Sequence, residues 1–86
     1  IKEGIFELKM YPNPTQGWVN LDMAIQQSKE IQLRVLNIAG EEVFSKKYNS
    51  TEQIRFNLQE NTSGMYIVSL DIDGKQIVRK LILDRK

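Results

Sequence analysis

Gly64-Met65-Tyr66-Ile67-Val68-Ser69-Leu70-Asp71-Ile72-Asp73-Gly74-Lys75-Gln76-Ile77-Val78-Arg79-Lys80-Leu81-Ile82-Leu83 decides the fold. Tyr66, Val68, Leu70 and Ile72 occupy every second position, the period of an extended chain with one buried face. Asp73-Gly74 follows, a pair that tolerates the positive φ angles of a tight hairpin turn. The spacing predicts two antiparallel strands, the second running from Gln76 to Leu83.

The same period recurs upstream. Phe6, Leu8 and Met10 alternate with polar residues until Tyr11-Pro12-Asn13-Pro14-Thr15-Gln16-Gly17 interrupts them. Val19, Leu21, Met23 and Ile25 form a second alternating set, and a polar turn over residues 26–30 closes it. Ile31, Leu33 and Val35 form a third, reversed at Ala39-Gly40. A short strand containing Val43 runs to Tyr48, Asn49-Ser50 turns the chain, and Ile54, Phe56 and Leu58 alternate before a polar loop from Gln59 to Gly64. Seven short strands with turns at close intervals predict an all-β, antiparallel β-sandwich or barrel with one core-facing side per strand. One turn of helix over residues 52–58 is the competing local reading, and the Ile-x-Phe-x-Leu alternation argues against it.

Composition sets the limits on chemistry. The 86 residues are 41% hydrophobic and 27% charged, with a net charge of +1, which suits one folded domain and gives no global attraction to nucleic acid or an anionic membrane. The charge is uneven: residues 1–73 hold seven basic and ten acidic side chains, whereas residues 74–86 hold five basic and one acidic. The C-terminal end is thus a basic tip, read either as a solvated strand end or as a docking feature for an acidic partner. With no Cys and no His, disulfides, thiol nucleophiles, Cys-based zinc sites and imidazole acid–base catalysis are excluded. No apolar run approaches the roughly 20 residues of a membrane-spanning helix, and no signal peptide is visible. The chain opens on Ile1 rather than Met, so a piece cut from a longer protein is expected.

No nucleophile elbow, P-loop or dinucleotide glycine pattern occurs, so no catalytic residue and no cofactor or metal site is assigned and no enzyme is expected. Asp71-Ile72-Asp73-Gly74 lacks the remaining ligands of a calcium loop and reads as a hairpin turn. Asn49-Ser50-Thr51 and Asn61-Thr62-Ser63 match the glycosylation pattern, but both fall where a turn favours Asn. Trp18, near Tyr11, reads as a partly buried packing residue, with a sugar-stacking platform as the alternative. In Pro12-Asn13-Pro14 each proline fixes φ and removes a donor, so the segment reads as a stiff corner unable to extend a ladder.

These elements together resemble the C-terminal sorting domain of the type IX secretion system, over about Leu8 to Lys86. The resemblance rests on Tyr11-Pro12-Asn13-Pro14-Thr15 with Gly17, on Leu33-Arg34-Val35 leading to Ala39-Gly40 and Val43, and on Gly64-Met65-Tyr66-Ile67-Val68. Lys75 and the closing Arg79-Lys80-Leu81-Ile82-Leu83 complete it. Asn37 stands where Asp is frequent in the family, and Thr62 where Leu is common. The resemblance implies an immunoglobulin-like sandwich of about seven strands over residues 5–86, preceded by a linker remnant at residues 1–4. It implies Pro12, Asn13, Pro14, Gly17, Gly40, Gly64 and Tyr66 as structural residues. An N-terminal passenger would cross the inner membrane and the periplasm, and an outer-membrane translocon would read the folded domain. A sortase-like peptidase would then cut upstream of it, leaving the passenger at the cell surface or outside the cell. Recognition is expected on the final hairpin, Met65 to Leu83, and the terminal residues Leu81 to Lys86, with Arg79, Lys80, Leu81, Ile82, Leu83, Arg85 and Lys86 as the contacts, through a strand edge and basic side chains. The competing class is a fibronectin-like spacer, adhesion or carbohydrate-binding module of a surface protein. The passenger, the cleavage position and the oligomeric state stay open.

Overall fold

A computed structural model describes residues 5–25, 30–49, 53–72 and 74–85, with the backbone alone for 5–7 and 24–25. The turns expected at residues 26–29 and Ser50, residues 1–4, Asp73 and Lys86 lie outside the described residues. Seven strands follow in order: β1 (Ile5–Tyr11), β2 (Trp18–Ile25), β3 (Glu30–Leu36), β4 (Glu42–Asn49), β5 (Gln53–Asn57), β6 (Gly64–Ile72) and β7 (Lys75–Leu83). They form a three-stranded sheet, β1-β2-β5, and a four-stranded sheet, β4-β3-β6-β7, with every strand pair antiparallel. In immunoglobulin lettering this is A-B-E against C′-C-F-G, the expected sandwich.

Alternation produces the core. Val19, Leu21 and Met23 of β2 and Ile54 and Phe56 of β5 face inward from one sheet. Ile31, Leu33 and Val35 of β3 meet them from the other, with Tyr66, Val68, Leu70 and Ile72 of β6 and Leu81 and Leu83 of β7. Each fully buried aliphatic side chain contributes roughly 1.5–3 kcal/mol by leaving water. A register shift beside Val35 and Leu36 breaks the alternation of β4, so that Val43 and Phe44 are both half-buried. Phe44 then stacks on Phe56 of the facing sheet at 5.4 Å between ring centroids, which joins the two layers along the β4–β5 flank.

The β3–β4 reversal shows how one side chain fixes a turn. Asn37 Oδ1 accepts from the N–H groups of Ala39 (3.0 Å) and Glu41 (2.9 Å), and its Nδ2 donates to the Glu41 carboxylate at 2.9 Å. Gly40 has φ +87°, a left-handed conformation that suits glycine. An Asp at this position would lack the donor that the Asn37 amide gives to Glu41.

Leu33 sits at the centre of the four-stranded sheet with no exposure. Leu33→Ala is expected to cost about 2–5 kcal/mol in urea unfolding, a large share of a small domain's stability. A cost under about 1 kcal/mol would contradict the shared core.

Candidate recognition surface

β7 pairs with β6 in unbroken register from Ile72↔Lys75 to Gly64↔Leu83. Its odd-numbered positions face the other sheet, and its even-numbered ones face out. Leu81 and Leu83 are therefore fully buried, while Ile82 and Lys80 are exposed. Arg79 has the inward parity and yet is exposed at the flank, where its Nη1 donates to the Val78 carbonyl at 3.1 Å. Arg85 is also exposed, and its guanidinium donates to the Asn61 carbonyl at 2.8 Å while its N–H donates to Ser63 Oγ at 2.9 Å. Of the residues expected to meet a translocon, Arg79, Lys80, Ile82 and Arg85 are thus at the surface and Leu81 and Leu83 are core. Lys86 is outside the described residues.

The proline segment is more than a corner. Ile82 N–H donates to Asn13 Oδ1 (3.0 Å), and Asn13 Nδ2 donates to the Lys80 carbonyl (2.9 Å). Thr15 continues the line: its N–H donates to the Ile82 carbonyl (2.9 Å) and its carbonyl accepts from Asp84 N–H (2.7 Å), forming a parallel bridge with Leu83. The side-chain amide of Asn13 offers one donor and one acceptor, so it stands in for a peptide unit of a neighbouring strand. Pro12 and Pro14 lack donors, but Asn13 and Thr15 carry the pairing, which corrects the expectation that this stretch cannot extend a ladder. It also limits the strand edge available to a partner, because the stretch from the Lys80 carbonyl to the Asp84 N–H is covered.

Thr15 is buried, and its hydroxyl donates to the Trp18 carbonyl and accepts from Gly17 N–H at 3.1 Å. Gly17 in turn accepts from Leu58 N–H at 2.8 Å, and a Cβ there would lie 2.5 Å from Gln59 Cγ. Gly64 opens β6 opposite Leu83. Tyr66 is buried, with its hydroxyl donating to the Thr62 carbonyl at 2.6 Å, the arrangement of a tyrosine corner.

Beside this capped edge the outer face of β6–β7 carries apolar side chains: Val78 is 49% exposed, Met65 40% and Ile82 36%. Val78 and Met65 lie within the hairpin expected to be read, Met65 to Leu83, and their apolar character on the solvent parity of their strands is the signal that singles them out. Exposed apolar groups clustered on one face mark an interaction site more often than scattered ones do.

The outer face of β1-β2-β5 is different. Tyr11 and Trp18 are both about two-fifths exposed, at 41% and 44%, so Trp18 is less buried than a packing role predicts. The Arg55 guanidinium lies 4.1 Å over the Trp18 ring, where a stacked sugar would lie. The Tyr11 hydroxyl donates to Asp22 Oδ2 (2.7 Å), and Gln53 Nε2 donates to Asp22 Oδ1 (3.0 Å). These bonds, Tyr11 foremost, hold the Asp22 carboxyl below its ordinary value, and the same bond to Asp22 raises the Tyr11 phenol. Among the described residues there is no group of three metal-binding side chains and no helix long and apolar enough to cross a membrane.

Residues 9–84 match the family described as the secretion system C-terminal sorting domain. The chain belongs to this family, the sorting signal of type IX secretion. No curated protein matches it. A signal of this kind engages the type IX machinery and marks a secreted protein destined for the cell surface or the extracellular space.

Asn13→Ala is expected to cost about 1–2 kcal/mol and to release the Ile82 amide to rapid hydrogen exchange; an unchanged exchange rate would rule out the cap. A second test uses pH. A depressed carboxyl pKa contributes stability fully above the ordinary Asp value and loses it as pH falls through the folded value, while the raised phenol loses its share as pH rises through its own folded value. Wild type should therefore exceed Tyr11→Phe in urea stability at neutral pH, with the gap closing in acid; a gap independent of pH would contradict the Tyr11–Asp22 bond.

Proposed function

We propose that this domain is a non-catalytic address label carried behind a larger passenger. The passenger crosses the inner membrane first, and the folded domain is read in the periplasm by the outer-membrane translocon. A sortase-like peptidase then cuts within or upstream of residues 1–4, and the passenger stays at the surface or is released. The observation that carries this reading is the fixed presentation of the last strand. Asn13 and Thr15 hold one side of β7, and the Asn61–Ser63 loop holds Arg85, so Arg79, Lys80, Ile82 and Arg85 form a basic and apolar surface on a rigid element. Basic side chains in such a position chiefly speed encounter with an acidic partner.

The module reading, a spacer or sugar binder, draws on Tyr11 and Trp18. Arg55 on the Trp18 ring and the mutual satisfaction of Tyr11, Asp22 and Gln53 count against it.

Removing residues 81–86 is a poor test, because Leu81 and Leu83 belong to the core. Substitution to Gln at Arg79, Lys80 and Arg85, all exposed, removes charge and leaves the core untouched. In a host with the type IX machinery, a periplasm-directed reporter fused ahead of residues 1–86 should reach the surface or medium. The triple variant should lower export about tenfold. Wild-type export from a folded triple variant would refute the role of the basic tip.

A further inference from the structure

The part of β7 that Asn13 and Thr15 leave uncovered has the same orientation as the part they cover. The Lys80 carbonyl, both Ile82 backbone groups and the Asp84 N–H point away from β6. Register is unbroken down to Lys75, so the N–H and C=O of Gln76 and Val78 point the same way. Among the described residues no strand lies beside them. Arg79 Nη1 reaches the Val78 carbonyl, a side-chain partner where a strand would place an N–H.

We propose that this strip, from Gln76 to the Lys80 N–H, binds an extended, acidic segment of the export machinery by adding it to the four-stranded sheet; the inference rests on the sorting reading above. Two observations select that occupant. First, the chain already lays its own strand-like segment on the same edge, parallel to β7, and that segment stops at Asn13, where Pro12 leads back into β1. An incoming strand completes a line that the domain has half built. Second, the charges complement it: Lys75, Arg79 and Lys80 lie along the strip, against one carboxylate of the paired strand, Asp71, opposite Gln76. Val78, half-exposed on the outer face, offers an apolar seat for one alternate side chain of the added strand. Main-chain bonds supply the affinity in such pairing and alternate side chains the selectivity.

The edge geometry provides a selective test. Val78 faces Ser69 with its N–H turned outward, so Val78→Pro removes no bond of the β6–β7 ladder, and edge strands tolerate proline at such positions. Gln76→Pro is the same change two residues away, and Val78→Thr keeps the N–H while trimming the apolar contact. In the reporter fusion, wild type and Val78→Thr should be exported, whereas folded Val78→Pro and Gln76→Pro domains should be exported about tenfold less. Folding is checked separately by circular dichroism and thermal melting of the isolated domain.

Failure of the wild-type fusion to leave the cell refutes the sorting reading itself. Wild-type export with equal export of either folded proline variant overturns only the edge proposal. Loss of export in Val78→Thr as well shows that the side chain, not the backbone, is read. A wild-type dimer in sedimentation that Val78→Pro dissolves assigns the edge to a second copy. Unfolding of both proline variants shows that these N–H groups are already bonded. Each of these last three results overturns the proposal.

Discussion

A β-sandwich can bury side chains between its sheets, but the backbone groups along its outermost strands have no neighbour by construction. How this chain treats the outer side of β7 governs much else. Four hydrogen bonds from Asn13 and Thr15 tie that strand to the segment linking β1 and β2, and so join the two sheets on the flank opposite the Phe44–Phe56 stack. With both flanks joined, the layers hold a fixed distance across which Leu21, Leu33 and Leu81 meet without exposure. The buried Thr15 hydroxyl, Gly17 and Leu58 extend the tie to the end of β5.

The layered core was readable because period-2 alternation is a local property of the chain. Tyr66 to Ile72 announces a strand whatever the rest does, and the segments holding Leu21, Leu33 and Phe56 repeat its alternation. Parity also carries the distinction between Leu81 and Ile82, so the burial of Leu81 and Leu83 could have been drawn from the sequence. The expectation of a strand edge read by a partner grouped them with surface contacts, because edge pairing takes the strand as a whole and does not ask which way each side chain faces.

The cap on β7 was not readable by the same means. Rules for proline concern backbone donors, and they rightly remove Pro12 and Pro14 from any ladder. They say nothing of an Asn side chain that substitutes for a peptide group on a strand 67 residues away. Such a contact leaves no periodic trace. Arg55 over Trp18 is similar: each residue sits at an ordinary outward position, and only the β2–β5 register brings them near. The β4 irregularity belongs here too, since a register shift against β3 makes neighbours Val43 and Phe44 both turn partly inward.

The parallel course of Thr15 along Leu83 has a mechanical consequence. β1 starts at Ile5, opposite Ile25, and reaches Tyr11 at the end of the sandwich where β7 finishes. A cargo joined ahead of Ile5 and a grip on the tail after Leu83 would therefore pull on opposite poles of a body 41 Å long. Ladder hydrogen bonds lie across the strands, so tension along that axis strains the Asn13 and Thr15 contacts sideways and together rather than opening them in turn. A handle built this way resists towing better than it resists peeling.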